Sequence, residues 1–353
     1  MISILFSSIV YYLLFSICIL FYFRGISLTG FLIGCLSLIG MSFIASVNYE
    51  LGILPQKFAS QFSYDFFMGR ESPLDNATFR LQAYLNSLAY LFTNRWESAI
   101  GVNVALIASL FLYTYHKDKY IAFWFFAPAF INFSMFALRD VLIAALFFLF
   151  ILKLNKSKEN ISSSVILLFS TIFIFIRPEI SALILLSYLT YYFINIKKIQ
   201  LKLIIVLFGL VGFVVLGPYI PLLLGLQGSF SIFELAETMQ IFYESRSNRW
   251  SGEDGGGSNI LSGNLVNLPF YLRLPTQIIS FFILPLPFEI RSLAMALSFI
   301  DSIFFISLYL KFRKNATLAS KIFFWINVIS ISFFLSNYGN AFRLRMPMYS
   351  IMI

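Results

Sequence analysis

Two short segments set an arginine against a carboxylate where one apolar run ends and the next begins: Arg139 with Asp140, and Arg177 with Glu179 across Pro178. Charged groups at the ends of such short apolar runs are costly in hydrocarbon, so they line a polar cavity or pair with each other. A guanidinium presents a planar fork of donors that matches a phosphate or pyrophosphate, which a Lys ammonium cannot reproduce. A neighbouring carboxylate can take a proton. The other reading of each segment is a local ion pair that caps a turn. Arg246, Arg249, Arg273, Arg343 and Arg345 occupy connections on the same side of the alternating pattern described below, and their convergence on one cavity would favour anion binding.

The residues that are missing narrow the chemistry. The chain has one histidine, His116, and it stands beside Lys117 in a different kind of connection from the arginines. No Ser-His-Asp or Cys-His arrangement can be assembled on the arginine side, and no histidine metal site either. A general base there must be a carboxylate, with Glu179, Asp140, Glu244 and Glu237 available. Asp301 lies deep within an apolar run with no evident cationic partner, and is expected at a helix-helix contact rather than in a proton relay. Cys18 and Cys35 fall in separate apolar runs and behave as small hydrophobes.

The elements that position these groups follow from composition. With 59% hydrophobic and 12% charged residues and a mean hydropathy of +0.86, the chain is expected to be an all-α, polytopic membrane protein. Apolar runs fall at approximately 2–23, 26–47, 97–115, 120–138, 140–154, 162–176, 180–196, 203–224, 291–310 and 317–336, giving about 10 to 11 spans in one integral membrane domain. The first has no basic leader and no small-residue cleavage site, so it reads as a retained helix.

Lysines cluster in every second connection: Lys117 and Lys119; Lys153, Lys156 and Lys158; Lys197, Lys198 and Lys202; Lys311, Lys314 and Lys321. Short Lys-rich loops mark the cytoplasmic face, so the arginines, apart from Arg24 and Arg313 on the Lys side, are expected outside, where Lys57 also falls. The net charge of +9 is accounted for by these two sets, without nucleic acid as a partner.

Residues 48–95 and 226–270 are then outer segments. The first contains an amphipathic stretch over 79–92. The second passes from a helix bearing Glu234, Glu237 and Glu244 into a Gly-rich stretch, the pattern of a mobile lid. Tyr243 and Trp250 there could stack on a sugar or anchor at the interface. Residues 269–289 are apolar but broken by four prolines, and are expected to be re-entrant or interfacial; 346–353 are too short to span and are expected to dip back into the bundle. The Arg139-Asp140 and Arg177-Glu179 hairpins resemble each other, either as an internal repeat or as two short polar turns.

The segments FALRDVL (136–142), IRPEIS (176–181), ILPLPFEIRS (283–292) and GNAFRLRMP (339–347) resemble, in order and common outer placement, those of Wzy-type O-antigen and capsular polysaccharide polymerases. Arg246 to Gly257 also matches the Arg, ten residues and Gly described in outer loops of that family. The resemblance covers most of the chain in topology. It implies a bacterial inner-membrane, metal-independent glycosyltransferase without a cofactor, acting in lipopolysaccharide or capsule biosynthesis. A growing glycan on undecaprenyl pyrophosphate would pass to a lipid-linked oligosaccharide repeat unit at the periplasmic face. Arg139, Arg177, Arg246, Arg249, Arg273, Arg343 and Arg345 would bind pyrophosphate, and Glu179, Asp140 or Glu244 would act as base. Membrane lipid, a chain-length regulator and a flippase are the partners this implies.

Three other classes are distinguishable. A glycosyltransferase using a polyprenyl-phosphate sugar usually carries paired acids in its first outer loop, where Glu50 and Asp65 stand far apart. A lipid-linked glycan flippase needs polar groups running between both faces, whereas here they concentrate at one. A structural subunit would use the arginines in ion pairs with other proteins.

Overall fold

The computed structural model describes residues 2–23, 25, 27–50, 64–69, 83–134, 140–156, 163–176, 178–197, 200, 202, 270–290, 293–333 and 338–353. Among them every regular element is helical, as the apolar runs predict. The principal helices are α1 (Ile2–Phe23), α2 (Leu28–Glu50), α3 (Ser87–Thr93), α4 (Ser98–Lys117), α5 (Lys119–Ala122), α6 (Pro128–Ser134), α7 (Asp140–Lys156), α8 (Ser163–Ile176), α9 (Pro178–Asn195), α10 (Phe270–Ile283), α11 (Leu293–Asn315), α12 (Leu318–Phe333) and α13 (Tyr338–Met352).

Within the described residues, α1, α2, α4 and α11 are long and apolar enough to cross a membrane, and four further apolar helices are shorter. The chain is therefore a helical, membrane-embedded protein. Several serines inside these helices return their hydroxyls to the carbonyl one turn back, as Ser7 does to Ser3 (2.8 Å), Ser8 to Ile4 (2.8 Å) and Ser109 to Ala105 (2.6 Å). That bond satisfies the hydroxyl without water, which is how serine is accommodated in an apolar helix.

The centre of the bundle is α4, buried along nearly its whole length. It is flanked by α1 and α2, whose outer faces expose Leu13, Ile17, Leu36 and Ile39, the surface that lipid would cover. Gly101 lets α4 approach α1 closely. A methyl there would collide with the Ile4 carbonyl and lie 2.8 Å from the Ser8 nitrogen. At the far end Tyr113 of α4 meets Tyr22 of α1 with ring centroids 6.2 Å apart, so these helices run parallel. Helix α2 runs against them, with the Ser42 hydroxyl 2.8 Å from that of Ser8 and Gly30 packed on Tyr115.

Aromatic contacts carry the same register outward. Phe148 of α7 meets Tyr113, Phe150 meets Phe323 of α12, and Phe312 of α11 meets Phe324. Lys117, Lys119, Lys153, Lys311, Lys314 and Lys321 consequently gather at one end of the bundle, here called the Lys end. Asp140, at the start of α7, lies at the opposite end.

Two expectations need correction. The run at 120–138 is not one span: α5 is followed by a 3-10 turn over Phe123–Phe126, and α6 begins only at Pro128. Asp118 starts α5 by accepting the Tyr120 and Ile121 amides (2.9 and 3.0 Å). Pro128 opens α6, where its missing N–H costs nothing. Of the amphipathic stretch expected over 79–92, residues 79–82 lie outside the described residues, and the rest is helical over 83–85 and in α3 from Ser87. Asp301 does have a cationic partner, described below.

Helix α10 stops halfway along α11. Its last turn places Phe281 and Phe282 on Phe305, with centroids 5.5 and 5.4 Å apart, and Phe282 on Tyr309 at 5.2 Å. Pro285, after a cis Leu284–Pro285 bond, supplies no N–H to continue the helix. A short 3-10 turn at Pro287–Glu289 then leads back to the beginning of α11. The run expected at 203–224 and most of the segment 226–270 lie outside the described residues.

Candidate functional site

Helix α7 begins with Asp140, where a carboxylate in the first turn complements the positive end of the helix dipole. Helix α13 lies along α7 and carries Arg343. The Arg343 Nε and Nη2 both donate to Asp140 Oδ2, at 2.7 and 2.6 Å. Asp140 is fully buried, while the Arg343 side chain is 25% exposed. The two residues are 203 positions apart in sequence. Phe342 packs on Phe133 of α6 beside them, with centroids 5.0 Å apart. The pair thus joins a sealed carboxylate to a guanidinium that still reaches the surface.

Burying such a pair costs desolvation that is offset only by good geometry and additional hydrogen bonds. It is therefore weak evidence for stability and stronger evidence for a specific local arrangement. Because both donors fall on one carboxylate oxygen, the guanidinium fork is not matched to the two oxygens of a carboxylate. Its partial exposure leaves it able to meet an anion from outside.

Arg345, two residues further on, points the other way, since two positions on an α-helix are about 200° apart. It is fully buried. Its Nε donates to the Phe281 carbonyl (2.8 Å), Nη2 to the Leu284 carbonyl (2.6 Å), and Nη1 to the Ser298 carbonyl (3.1 Å) and Asp301 Oδ2 (3.5 Å). Asp301 Oδ1 accepts the Ala129 amide at 3.0 Å and the Tyr349 hydroxyl at 3.1 Å. Arg345 is consequently sealed among protein groups and does not share a ligand-facing surface with Arg343, contrary to the sequence reading. The expectation that Asp301 sits at a helix-helix contact does agree with its position.

Arg273 lies on α10 and is buried to 4% exposure. With Gln277, Ser280, Phe281 and Leu284 it forms one stripe at intervals of about one helical turn, facing the bundle. Arg273 stands two turns before Phe281, about 12 Å along the axis. It therefore lies on the part of α10 that leads away from the Arg345 cluster.

Of the remaining residues singled out in sequence, Arg139, Arg177, Glu244, Arg246 and Arg249 lie outside the described residues, as do Glu234, Glu237, Tyr243 and Trp250. Glu179 belongs to the first turn of α9, but its side chain also lies outside the description.

Sequence reasoning overlooked Glu97, which is buried at the head of α4 with Arg95 Nη1 3.3 Å from its Oε1. It also overlooked Tyr349 and Gln277. Their spacing held a signal: each follows an arginine by four residues, and so shares its helical face.

No protein-family model, no curated protein and no solved structure matches the chain.

Proposed function

We propose that the protein is a glycan polymerase, transferring a growing chain from undecaprenyl pyrophosphate to a lipid-linked oligosaccharide repeat unit. The observation that carries this reading is the Arg343–Asp140 pair: a partly exposed guanidinium against a buried carboxylate, at the end of the bundle opposite the lysines. The Lys end faces the cytoplasm and the pair faces the periplasm of a bacterial inner membrane. The whole chain contributes about 10 to 11 spans, with α10 entering from the periplasmic side and stopping within the membrane.

In the transfer, the acceptor hydroxyl oxygen bonds to the anomeric carbon of the donor sugar as the bond from that carbon to pyrophosphate breaks. Undecaprenyl pyrophosphate leaves with the bonding electrons. Arg343 stabilises the charge that develops on it, an electrostatic role needing no metal. Arg139, Arg177, Arg246, Arg249 and Arg273 contribute further positive charge.

The proton from the acceptor hydroxyl passes to a carboxylate, with Asp140, Glu179 and Glu244 as the candidates. Pyrophosphate competes with Asp140 for the Arg343 guanidinium, so substrate binding itself releases the carboxylate. The bundle surface accommodates the lipid tails, and a flippase and chain-length regulator act alongside.

The test is glycan length in a producing strain carrying Arg343→Ala or Asp140→Asn. Surface glycan one repeat long, with protein amount unchanged, supports the reading. Full-length chains in both strains contradict it.

A further inference from the structure

Helices α6 and α10 both end inside the bundle, where backbone groups left over at a helix terminus have no water to meet them. The first amide that α6 can offer is that of Ala129, because Pro128 has none. It is accepted by Asp301 Oδ1 at 3.0 Å. The last turn of α10 leaves carbonyls at Phe281 and Leu284, and Arg345 takes both, at 2.8 and 2.6 Å.

The signs of charge agree with the dipoles: a carboxylate at a helix start and a guanidinium at a helix end. Arg345 then binds Asp301 and the Ser298 carbonyl through Nη1, while Tyr349 donates to the Asp301 carbonyl and Oδ1 at 3.0 and 3.1 Å. One ion pair therefore closes two broken helices. Only a planar fork with several donors reaches three carbonyls and a carboxylate at once, so lysine cannot replace Arg345 here.

This cluster is two residues along α13 from Arg343, on the opposite face. Helix α13 is accordingly held from both sides, by Arg345 against α10 and α11 and by Arg343 against α7.

We propose that Asp301 and Arg345 are positioning residues: by fastening the ends of α6 and α10 to α13, they set the rotation and height at which Arg343 meets Asp140. Their consequence for catalysis rests on the glycan-polymerase reading, whereas their geometric role does not.

The experiment is a double-mutant cycle on purified full-length protein, read as the thermal unfolding midpoint. Asp140→Asn is made in the parent and in the Asp301→Leu/Arg345→Met background, which leaves neither charge of this pair behind. Positioning predicts coupling: the shift caused by Asp140→Asn falls to less than half its parental size, because Arg343 is already displaced. An undiminished shift in the double background overturns the proposal.

If that background does not accumulate, Asp301→Asn serves as the second background with the same two outcomes. It keeps an acceptor for Ala129 while removing the charge opposite Arg345. In producing cells, a background that accumulates to the parental level is predicted still to make glycan one repeat long. A purely structural role would restore long chains together with protein amount. Coupling in the unfolding cycle, with no effect of Arg343→Ala on glycan length, would retain the positioning role and reject the polymerase reading alone.

Discussion

Arg343 and Asp140 meet across the α13–α7 contact, with Nε and Nη2 of the arginine on the same carboxylate oxygen at 2.7 and 2.6 Å. The arrangement leaves a quarter of the arginine side chain exposed and none of the aspartate. Removing the arginine takes a close cation from a buried carboxylate, whereas removing the charge from the aspartate leaves a guanidinium that can still reach solvent. The two substitutions should therefore differ in stability.

Arg343→Ala is expected to lower stability by about 2–4 kcal/mol, somewhat below the usual cost of breaking a fully buried pair because the arginine is partly solvated. Asp140→Asn should cost less, about 1–2 kcal/mol. Thermal unfolding of the two purified variants in the same detergent checks the order. Arg343→Lys should recover part of the stability and little of the activity, since an ammonium does not reproduce the fork.

In the second ion pair, the single substitution Arg345→Met should be more damaging than the joint Asp301→Leu/Arg345→Met. The single change leaves Asp301 buried without its cation and costs about 3–5 kcal/mol. The joint change removes both charges, although the Phe281 and Leu284 carbonyls still lose the Arg345 donor, Leu284 keeping the Ser302 hydroxyl at 3.1 Å. Protein accumulation and unfolding midpoint should both rank the joint variant above the single one.

The α1–α4 contact depends on the absence of a side chain at Gly101. Gly101→Ala would press a methyl into the Ile4 carbonyl, the Ser8 amide at 2.8 Å and the Ser7 Cβ at 2.9 Å. Backbone atoms cannot swing aside as a flexible side chain can, so α1 must shift. The expected loss is about 1–3 kcal/mol, visible as a lower unfolding midpoint. Gly40, which has open space around its Cβ position, should accept alanine with no loss.

Much of this architecture could be read from the sequence because it depends on local pattern. The apolar runs gave the long helices, and the lysine clusters gave their alternation. Asp140 was legible as the polar start of a short helix. What the sequence concealed was partnership between distant segments: neither apolar pattern nor spacing links Asp140 to Arg343, or Asp301 to Arg345. Both arginines lie on α13, a helix that contains Pro347 and of which the apolar pattern marked only 346–353 as returning to the bundle.

The break near Ala127 was hidden for a different reason. Phe123 to Phe126 are as apolar as the helices on either side, so hydropathy alone reads straight through the turn. Only Pro128 hinted at a new helix start.

Orientation can be tested without any substrate. With Cys18 and Cys35 replaced by serine, a cysteine at Asn94 should react with a membrane-impermeant maleimide in cells whose outer membrane has been opened. A cysteine at Asn315, beside the lysines at the end of α11, should react only after lysis. The reverse pattern would place the Arg343–Asp140 pair in the cytoplasm and remove the periplasmic reaction.

The most direct measurement is polymer formation from purified protein and purified undecaprenyl-pyrophosphate-linked repeat unit. The parent protein is predicted to yield multi-repeat glycan without added metal, and Arg343→Ala to be slower by about 100-fold or more, as for loss of a group that stabilises transition-state charge. No polymer from folded parent protein supplied with its own strain's repeat unit, or equal rates from parent and Arg343→Ala, would contradict the account.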